Sequence, residues 1–287
     1  MLKFYNNRCN KEHDLINKED FVIKQFSSAY IGDDGAVIGD MVYSMDSFFE
    51  DVHFKRAWMS ITQIARKAML INISDAVAMN AKPLYALISL SLPSNITNNE
   101  ILELTASFSQ TAQEFDCEII GGDTIASDKL HISITIISKT SNPLTRRGLK
   151  DGDILGYTGT LGESKRDLNR LFNGEKIEPK SKFYEPILRS EFISKAREFL
   201  SVGMDISDGL FCDTNKLLDS NNTGMELLND ISNEIGSSGE EYEMLIGFDA
   251  KNLEDITKIA KETNTPISMF AKISSSGARF ECLNHHF

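Results

Sequence analysis

Asp33, Asp34, Asp46, Asp75, Asp123, Asp205 and Asp208 each stand in a short Gly-, Ser- or Asn-rich punctuation of an otherwise apolar stretch. The stretches are Ile31-Gly32-Asp33-Asp34-Gly35-Ala36, Tyr43-Ser44-Met45-Asp46-Ser47, Asn72-Ile73-Ser74-Asp75, Ile120-Gly121-Gly122-Asp123-Thr124 and Met204-Asp205-Ile206-Ser207-Asp208-Gly209. Small neighbours let backbone or an ion come close to a carboxylate, so the pattern predicts acids gathered around divalent cations. Gathering them unaided is costly, because two unit charges about 4 Å apart repel by roughly 4 kcal/mol at an effective dielectric near 20. Either cations neutralise the group or some members protonate. Ser44, Ser207 and backbone carbonyls add further oxygen ligands, while histidine is too sparse for a zinc enzyme of the usual kind. Oxygen ligands alone suit Mg²⁺, which links carboxylates to phosphates, so a nucleotide is the expected ligand. No Gly-x-x-x-x-Gly-Lys-Ser/Thr phosphate cradle occurs; Gly156, Gly159, Gly162 and Lys165 only imitate it and read as a strand-to-loop turn.

These acids need elements to hold them. Residues 60–80 carry helical apolar spacing at Ile61, Ala65, Ala68 and Met79, and the same stripe passes through Asn72 and Asp75. Either one helix buries both polar groups, or the helix breaks near Asn72 and Ser74 or Asp75 caps a second one. Leu84 to Leu92 reads as a strand, Asn99 to Phe115 as a helix, and Cys117 to Ile120 as a short buried strand running into Gly121-Gly122-Asp123. Leu130, Ile132, Ile134 and Ile136 alternate with His131, Ser133 and Thr135, a half-buried strand in which His131 is solvated. Ser141 to Asp153, rich in Pro, Gly and charge, marks the expected boundary between domains at 1–140 and 141–287. Beyond it lie an expected strand at Ile154 to Thr158, a loop at Gly159 to Lys165 and a polar region to Tyr184. A helix is expected from Pro186 to about Leu200, then a strand at Val202 to Ile206. A helix capped by Ser207 follows, then one near Leu253 to Glu262 and a strand near Ile267 to Ile273. The irregular alternation predicts mixed α/β layers.

With 287 residues, 41% hydrophobic and 25% charged, the chain is globular and long enough for two cores. A net charge of −12 argues against a nucleic-acid surface, and any anionic ligand must arrive with cations. Cys9, Cys117, Cys212 and Cys282 are far apart with no Cys-x-x-Cys pair, which predicts neither a zinc ribbon nor a disulfide framework and fits a reducing cytoplasm. Lys3 and Arg8 precede no apolar run of signal-peptide type, and Leu84 to Leu92 is too short to span a bilayer, so a soluble protein is expected.

Taken in order, Gly32-Asp33-Asp34, Ser44-Met45-Asp46 with Val52-His53-Phe54, Asn72-Ile73-Ser74-Asp75 before Ala78-Met79-Asn80-Ala81-Lys82-Pro83, and Gly121-Gly122-Asp123-Thr124 form a series. It continues with Arg146 before Gly152-Asp153, Asp205-Ile206-Ser207-Asp208-Gly209-Leu210 and Gly239-Glu240-Glu241-Tyr242-Glu243. The series resembles thiamine-monophosphate kinases over most of the chain. The resemblance implies the mixed α/β, two-domain fold shared with aminoimidazole ribonucleotide synthetase, whose N-terminal strands form a β-barrel in a homodimer. It implies Mg²⁺ ligands at Asp34, Ser44, Asp46, Asp75, Asp123, Asp205 and Asp208, with the carbonyl of Met45. Of these, Asp46, Asp75 and Asp123 would carry catalysis. It further implies ATP contacts at Gly121, Gly122, Arg146 and Ser207, and substrate contacts at His53, Glu240 and Phe287. Read only from their settings, Asp33 braces its loop, Arg146 forms a surface ion pair and His53 ends a turn.

The implied reaction moves the γ-phosphoryl group of ATP to thiamine monophosphate, giving thiamine diphosphate and ADP in the cytoplasm. Phe287 would face the thiazolium cation or pack on the thiamine rings, worth about 0.5–2 kcal/mol if cation–π. The sequence departs from the family at Met45, where Thr is usual, at Ser238-Gly239-Glu240-Glu241, which replaces Gly-Gly-Glu-Asp, and at Lys165-Arg166-Asp167 after the glycine series. Two alternatives stay open: another ATP-using enzyme of the same fold group, or a Mg²⁺- or nucleotide-binding sensor without turnover.

Overall fold

Two five-stranded sheets organise the chain, joined by a helix that both of them cover. The computed structural model describes residues 18–275 and 277–282. A short α1 (Lys18–Ile23) precedes β1 (Ala36–Ile38) and β2 (Met41–Phe49); α2 (Ile61–Ala78), β3 (Lys82–Pro93), α3 (Asn98–Glu114), β4 (Glu118–Ser127) and β5 (His131–Lys139) follow. The first sheet has the order β1-β2-β5-β3-β4, antiparallel except for the parallel pair β3 and β4. After an irregular stretch come β6 (Ile154–Thr158), α4 (Glu163–Phe172), α5 (Ser190–Ala196), β7 (Val202–Asp205), α6 (Leu210–Ser220) and β8 (Gly224–Leu227). The chain continues through α7 (Asn233–Gly236), β9 (Met244–Phe248), α8 (Leu253–Glu262) and β10 (Ile267–Ser274). The second sheet runs β7-β9-β6-β10-β8.

The mixed α/β architecture expected from the sequence is present. Its pivot is α2. Ser60 and Gln63 close a reciprocal capping box at its start. One side of the helix packs on β2, β5 and β3, and the other meets β7 and α5. From Lys67 onward no side is left for solvent, so Lys67, Asn72, Ser74 and Asp75 are buried along with the aliphatic residues. The helix does not break at Asn72. The Asn72 amide donates to the Ala68 carbonyl (2.8 Å) and its oxygen accepts from the Asp46 N–H (2.7 Å), so the residue ties α2 to β2. One apolar core runs from Phe48, Ile132 and Ile134 through α2 to Phe183, Phe192 and Met244. A second lies under α6, around Leu155, Val202, Leu217 and Phe270.

Several expectations need correction. Ser44, Met45 and Asp46 lie in the middle of β2 and not in a loop, whereas Asp75 lies inside α2, as the unbroken-helix reading expected. The strand expected to stop at Ile120 continues to Ser127 and is an exposed edge. Gly122 keeps it going: φ there is 153°, and a Cβ would come within 1.7 Å of the Ile88 carbonyl oxygen. The region taken as loop after Gly159 contains α4, whose first amides are capped by Glu241 from far along the chain. The helix expected from Pro186 begins at Ser190. Ser207 does not cap α6, which starts after Gly209 without a side-chain cap. Cys212 on α6 is disulfide-bonded to Cys282, a pairing that 70 residues of separation hid from the sequence reading. No described helix is long and apolar enough to cross a membrane.

The first sheet is covered on one face only. On its open face Met45 is 60% exposed, beside Tyr43, Tyr85 and Leu87; on the edge strand β4, Ile125 is 56% exposed. Beyond the three residues paired with β1, the outer edge of β2 from Ser44 to Phe49 has no strand partner among the described residues, and neither has the outer edge of β4.

Candidate metal and phosphate site

Strand β2, helix α2 and the end of β7 converge where the loop 31–35 folds over them. Asp34 from the loop, Asp75 from α2 and Asp205 from β7 bring one carboxylate oxygen each within 4.8 Å of one another. The Ser74 hydroxyl donates to Asp205 (2.7 Å), so the residue beside one acid steadies the other. Arg146 closes the group from the side: its guanidinium bonds to Asp34, and its own N–H donates to Asp33 (2.6 Å). Asp33 therefore braces the loop, and the Arg146 pair is internal, not a surface contact. Asp208 is met by Lys216 of α6, which also reaches Asp213 at 3.2 Å. These acids and Asp46 border a cleft of about 550 Å³ whose lining also includes Met45, Ser47, His53, Ser207 and Tyr242.

Electrostatics make this group unfavourable as it stands. Burial pushes the Asp75 and Asp205 carboxyls well above the usual range, and neighbouring carboxylates raise them further. Arg146 is buried, which opposes its charge, yet Asp34 outweighs that and holds it more firmly protonated than usual. Among the described residues, the buried oxygens without a hydrogen-bond partner include Oδ2 of Asp34 and Oγ of Ser44. Orphaned oxygens beside crowded carboxylates call for a cation with oxygen preference and several ligands.

The far end of the cleft is built differently. The Nδ1 atom of buried His53 accepts from the Phe49 N–H (2.9 Å), and burial lowers its pKa to about 4. The ring is therefore neutral near pH 7 with its proton on Nε2, a buried donor without a partner among the described residues. Glu240 pairs with Lys67 at 2.7 Å, both side chains buried. Although burial opposes the Glu240 charge, Lys67 holds the carboxyl down at about 2. The segment is pinned to the metal side, since the Glu240 N–H donates to the Ser207 carbonyl (2.8 Å) and the Tyr242 N–H to the Ile206 carbonyl (2.9 Å).

The glycine series does not cradle phosphate. Glu241 already accepts from the Gly162 N–H (2.8 Å), the Ser164 N–H (3.1 Å) and the Ser238 hydroxyl (2.5 Å). Lys182 reaches Glu241 (3.2 Å) and Glu243 (3.0 Å), and Arg189 binds Glu243 through two nitrogens (2.7 and 2.8 Å).

The fold thus brings Asp34, Met45, Asp46, Asp75, Arg146, Asp205, Ser207 and Asp208 to one cleft with His53 also in its lining, while Ser44 is buried beside Met45 on β2 and Glu240 is buried against Lys67, outside that lining. Gly121, Gly122 and Asp123 stand apart. Asp46 pairs with Ile134, Ile134 with Ile88 and Ile88 with Gly122. Three strand spacings therefore separate β2 from β4, about 14 Å, too far for Asp123 to share an ion with Asp46 of the same chain. Phe287 lies outside the described residues. The sequence reading missed Lys67, Ser74, Asp213, Lys216 and Tyr242 as parts of the site. Lys67 left no signal either, since it stands about two helical turns before Asp75 but well round α2 from the stripe of Ile61, Ala65, Ala68 and Asn72.

Residues 32–140 match the family model described as AIR synthase related protein, N-terminal domain. The thiamine-monophosphate kinase of Leptospira interrogans serogroup Icterohaemorrhagiae serovar Lai (strain 56601) is 32% identical, over 82% of this chain and 84% of that protein. That of Aquifex aeolicus (strain VF5) is 30% identical over 78% and 77%. Among solved structures, one described as AaThiL complexed with AMPPCP and TMP superposes with a TM-score of 0.81 at 25% identity, covering 94% of this chain and 96% of that one. A HypE–HypF complex shares the fold at 17% identity with a TM-score of 0.76.

Proposed function

Because the chain belongs to the thiamine-monophosphate kinase family, we propose that its cleft phosphorylates thiamine monophosphate with ATP at a site holding several Mg²⁺ ions. The observation that carries this reading is the buried meeting of Asp34, Asp75 and Asp205. With the unpartnered Ser44 hydroxyl and Asp34 oxygen, it fits a hard cation and fits no neutral ligand. Asp34, Ser44, the Met45 carbonyl, Asp46, Asp75, Asp205 and Asp208 are the ligand set. Bound there, Mg²⁺ would supply charge neutralisation and a bridge between phosphates.

The protein's own groups do the rest. The acceptor is a phosphate monoester whose second pKa is about 6, so it enters as a dianion and needs no general base. Arg146 and Ser207 hold the donor's phosphates against the carboxylate end. At the other end the His53 Nε2–H donates to the acceptor and the Glu240 carboxylate accepts from it, which fixes the acceptor's approach. Phosphoryl transfer then passes directly from donor to acceptor, with positioning and charge compensation as the sources of rate.

A second copy of the chain completes the site on this reading. Past the three residues covered by β1, the outer edges of β2 and β4 lie on opposite sides of one sheet, and joining each to the opposite edge of a partner closes a barrel. Its interior takes up Tyr43, Met45, Tyr85 and Leu87, and β4 of one copy comes beside Ser44 to Phe49 of the other. Asp123, Gly121 and Gly122 then act across the interface. Residues 1–140 form the dimerising domain and 141–287 close the cleft. A reducing cytoplasm is the proposed location, where Cys212 and Cys282 would stand as neighbouring thiols.

The test is product analysis with ATP, Mg²⁺ and thiamine monophosphate, against controls lacking metal or acceptor. Thiamine diphosphate and ADP in equal amounts, formed only with Mg²⁺, is the expected outcome. Metal-dependent ATP binding with no diphosphate formed would overturn it in favour of a sensor.

A further inference from the structure

Lys67 is a fully buried lysine that contacts none of the acids of the carboxylate group, yet it shares their helix. Lys67, Ile71 and Asp75 follow one another at intervals of four on α2 and so line one face. Asp75 enters the carboxylate group, Ile71 borders the cleft, and Lys67 binds Glu240. Eight residues of helix set the two functional ends about 12 Å apart.

The far end is tightly determined. The Lys67 ammonium lies 2.7 Å from Glu240 Oε2 and 4.2 Å from the centre of the Phe183 ring. Glu240 (φ 56°) and Tyr242 (φ 52°) both occupy left-handed backbone without being glycine. Such conformations persist where the surroundings over-determine them. A buried ion pair is weak evidence for stability, since an apolar pair of similar volume does as well. A role in holding one geometry explains better why charge is kept there.

We propose that Lys67 is a positioning residue for the acceptor: it fixes the Glu240 carboxylate at a set distance from the carboxylate group, so that the acceptor's ring system is held in register with its phosphate. This rests on Glu240 being an acceptor contact, as proposed above. A rigid α2 then acts as the spacer between phosphoryl transfer and recognition, and selects acceptors whose phosphate and ring donors match its length.

Steady-state kinetics of Lys67→Met, Glu240→Gln and the double variant, each substrate varied in turn, test it, with folding checked by thermal melting. Lys67→Met is expected to raise the KM for thiamine monophosphate about tenfold or more, the scale of a lost hydrogen bond to a charged group. The KM for ATP should stay within about twofold. The double variant should have the acceptor KM of Glu240→Gln alone. A raised acceptor KM in Glu240→Gln but not in Lys67→Met, equal rises for both substrates, or multiplied losses in the double variant would each overturn the role of Lys67. An unchanged acceptor KM in Glu240→Gln would show instead that the reading of Glu240 is wrong, and the proposal would fall with it. If Lys67→Met does not fold, Lys67→Gln takes its place: an acceptor KM raised with the ATP KM within about twofold supports the proposal, and an acceptor KM within about twofold of the wild type overturns it.

Discussion

Asp75 is an acid whose setting works against its own charge, and that conflict makes its contribution measurable. Its carboxyl is raised above 3.8 by burial and by Asp46, Asp205 and Asp34. A raised carboxyl costs nothing below its unfolded pKa, and its penalty grows as pH rises through that value toward the folded one. The metal-free protein therefore loses stability from this source on going from acid to neutral pH, and a bound cation reverses the loss. Melting curves with and without Mg²⁺ between about pH 5 and pH 8 should show a Mg²⁺-induced rise in Tm that grows with pH. A rise independent of pH would mean that these carboxyls are not the ligands. The same reasoning gives Asp75→Asn two opposite effects: turnover is abolished, while the metal-free protein gains about 1 kcal/mol or more, read from chemical denaturation. The acids were legible in the sequence because each stood beside small residues. Their partners were not. Ser74 bonds to Asp205 across 131 positions, and no local pattern announces that pairing.

Elements were legible where the chain itself specifies them. The box of Thr97 and Glu100 starts α3, and alternation marks β5 from His131 to Lys139. Helix α4 was missed because its start depends on a distant residue. Gly162 stands before it with φ 100° and no side chain to cap it, and Glu241 supplies the acceptor instead. That carboxylate also takes Ser238 and Lys182, so four donors depend on it. Glu241→Ala should therefore destabilise the protein by about 2–5 kcal/mol, because the buried Gly162 and Ser164 N–H groups lose their acceptor while Lys182 keeps Glu243. A denaturation midpoint within error of the wild type would show that the cap does not hold this element. Strand β4 failed for another reason: its glycines look like a loop ending, yet Gly122 is where the strand passes closest to the Ile88 backbone.

At the scale of the whole molecule, the acids predicted as one group divide into two sets. Asp34, Asp75 and Asp205 meet within a chain, and Asp123 lies three strands from Asp46. Sequence reading could not separate them, because closeness in space to a second copy leaves no mark on spacing along one chain. If Asp123 serves the partner's cleft, each site of a homodimer uses Asp46 from one copy and Asp123 from the other. Asp46→Asn and Asp123→Asn homodimers should then both be folded and inactive. A heterodimer of the two variants, co-expressed with different tags and purified through both, gathers both defects in one site and leaves the other intact. Its expected rate is about half that of the wild-type dimer. Were Asp123 to act within its own chain, every site of that heterodimer would carry one defect and the rate would stay at the level of the single variants. Full activity in both homodimers would remove these acids from the mechanism altogether. The sheet edges already favour the first outcome, since among the described strands β4 of another copy is long enough to cover Ser44 to Phe49 and is itself covered by doing so.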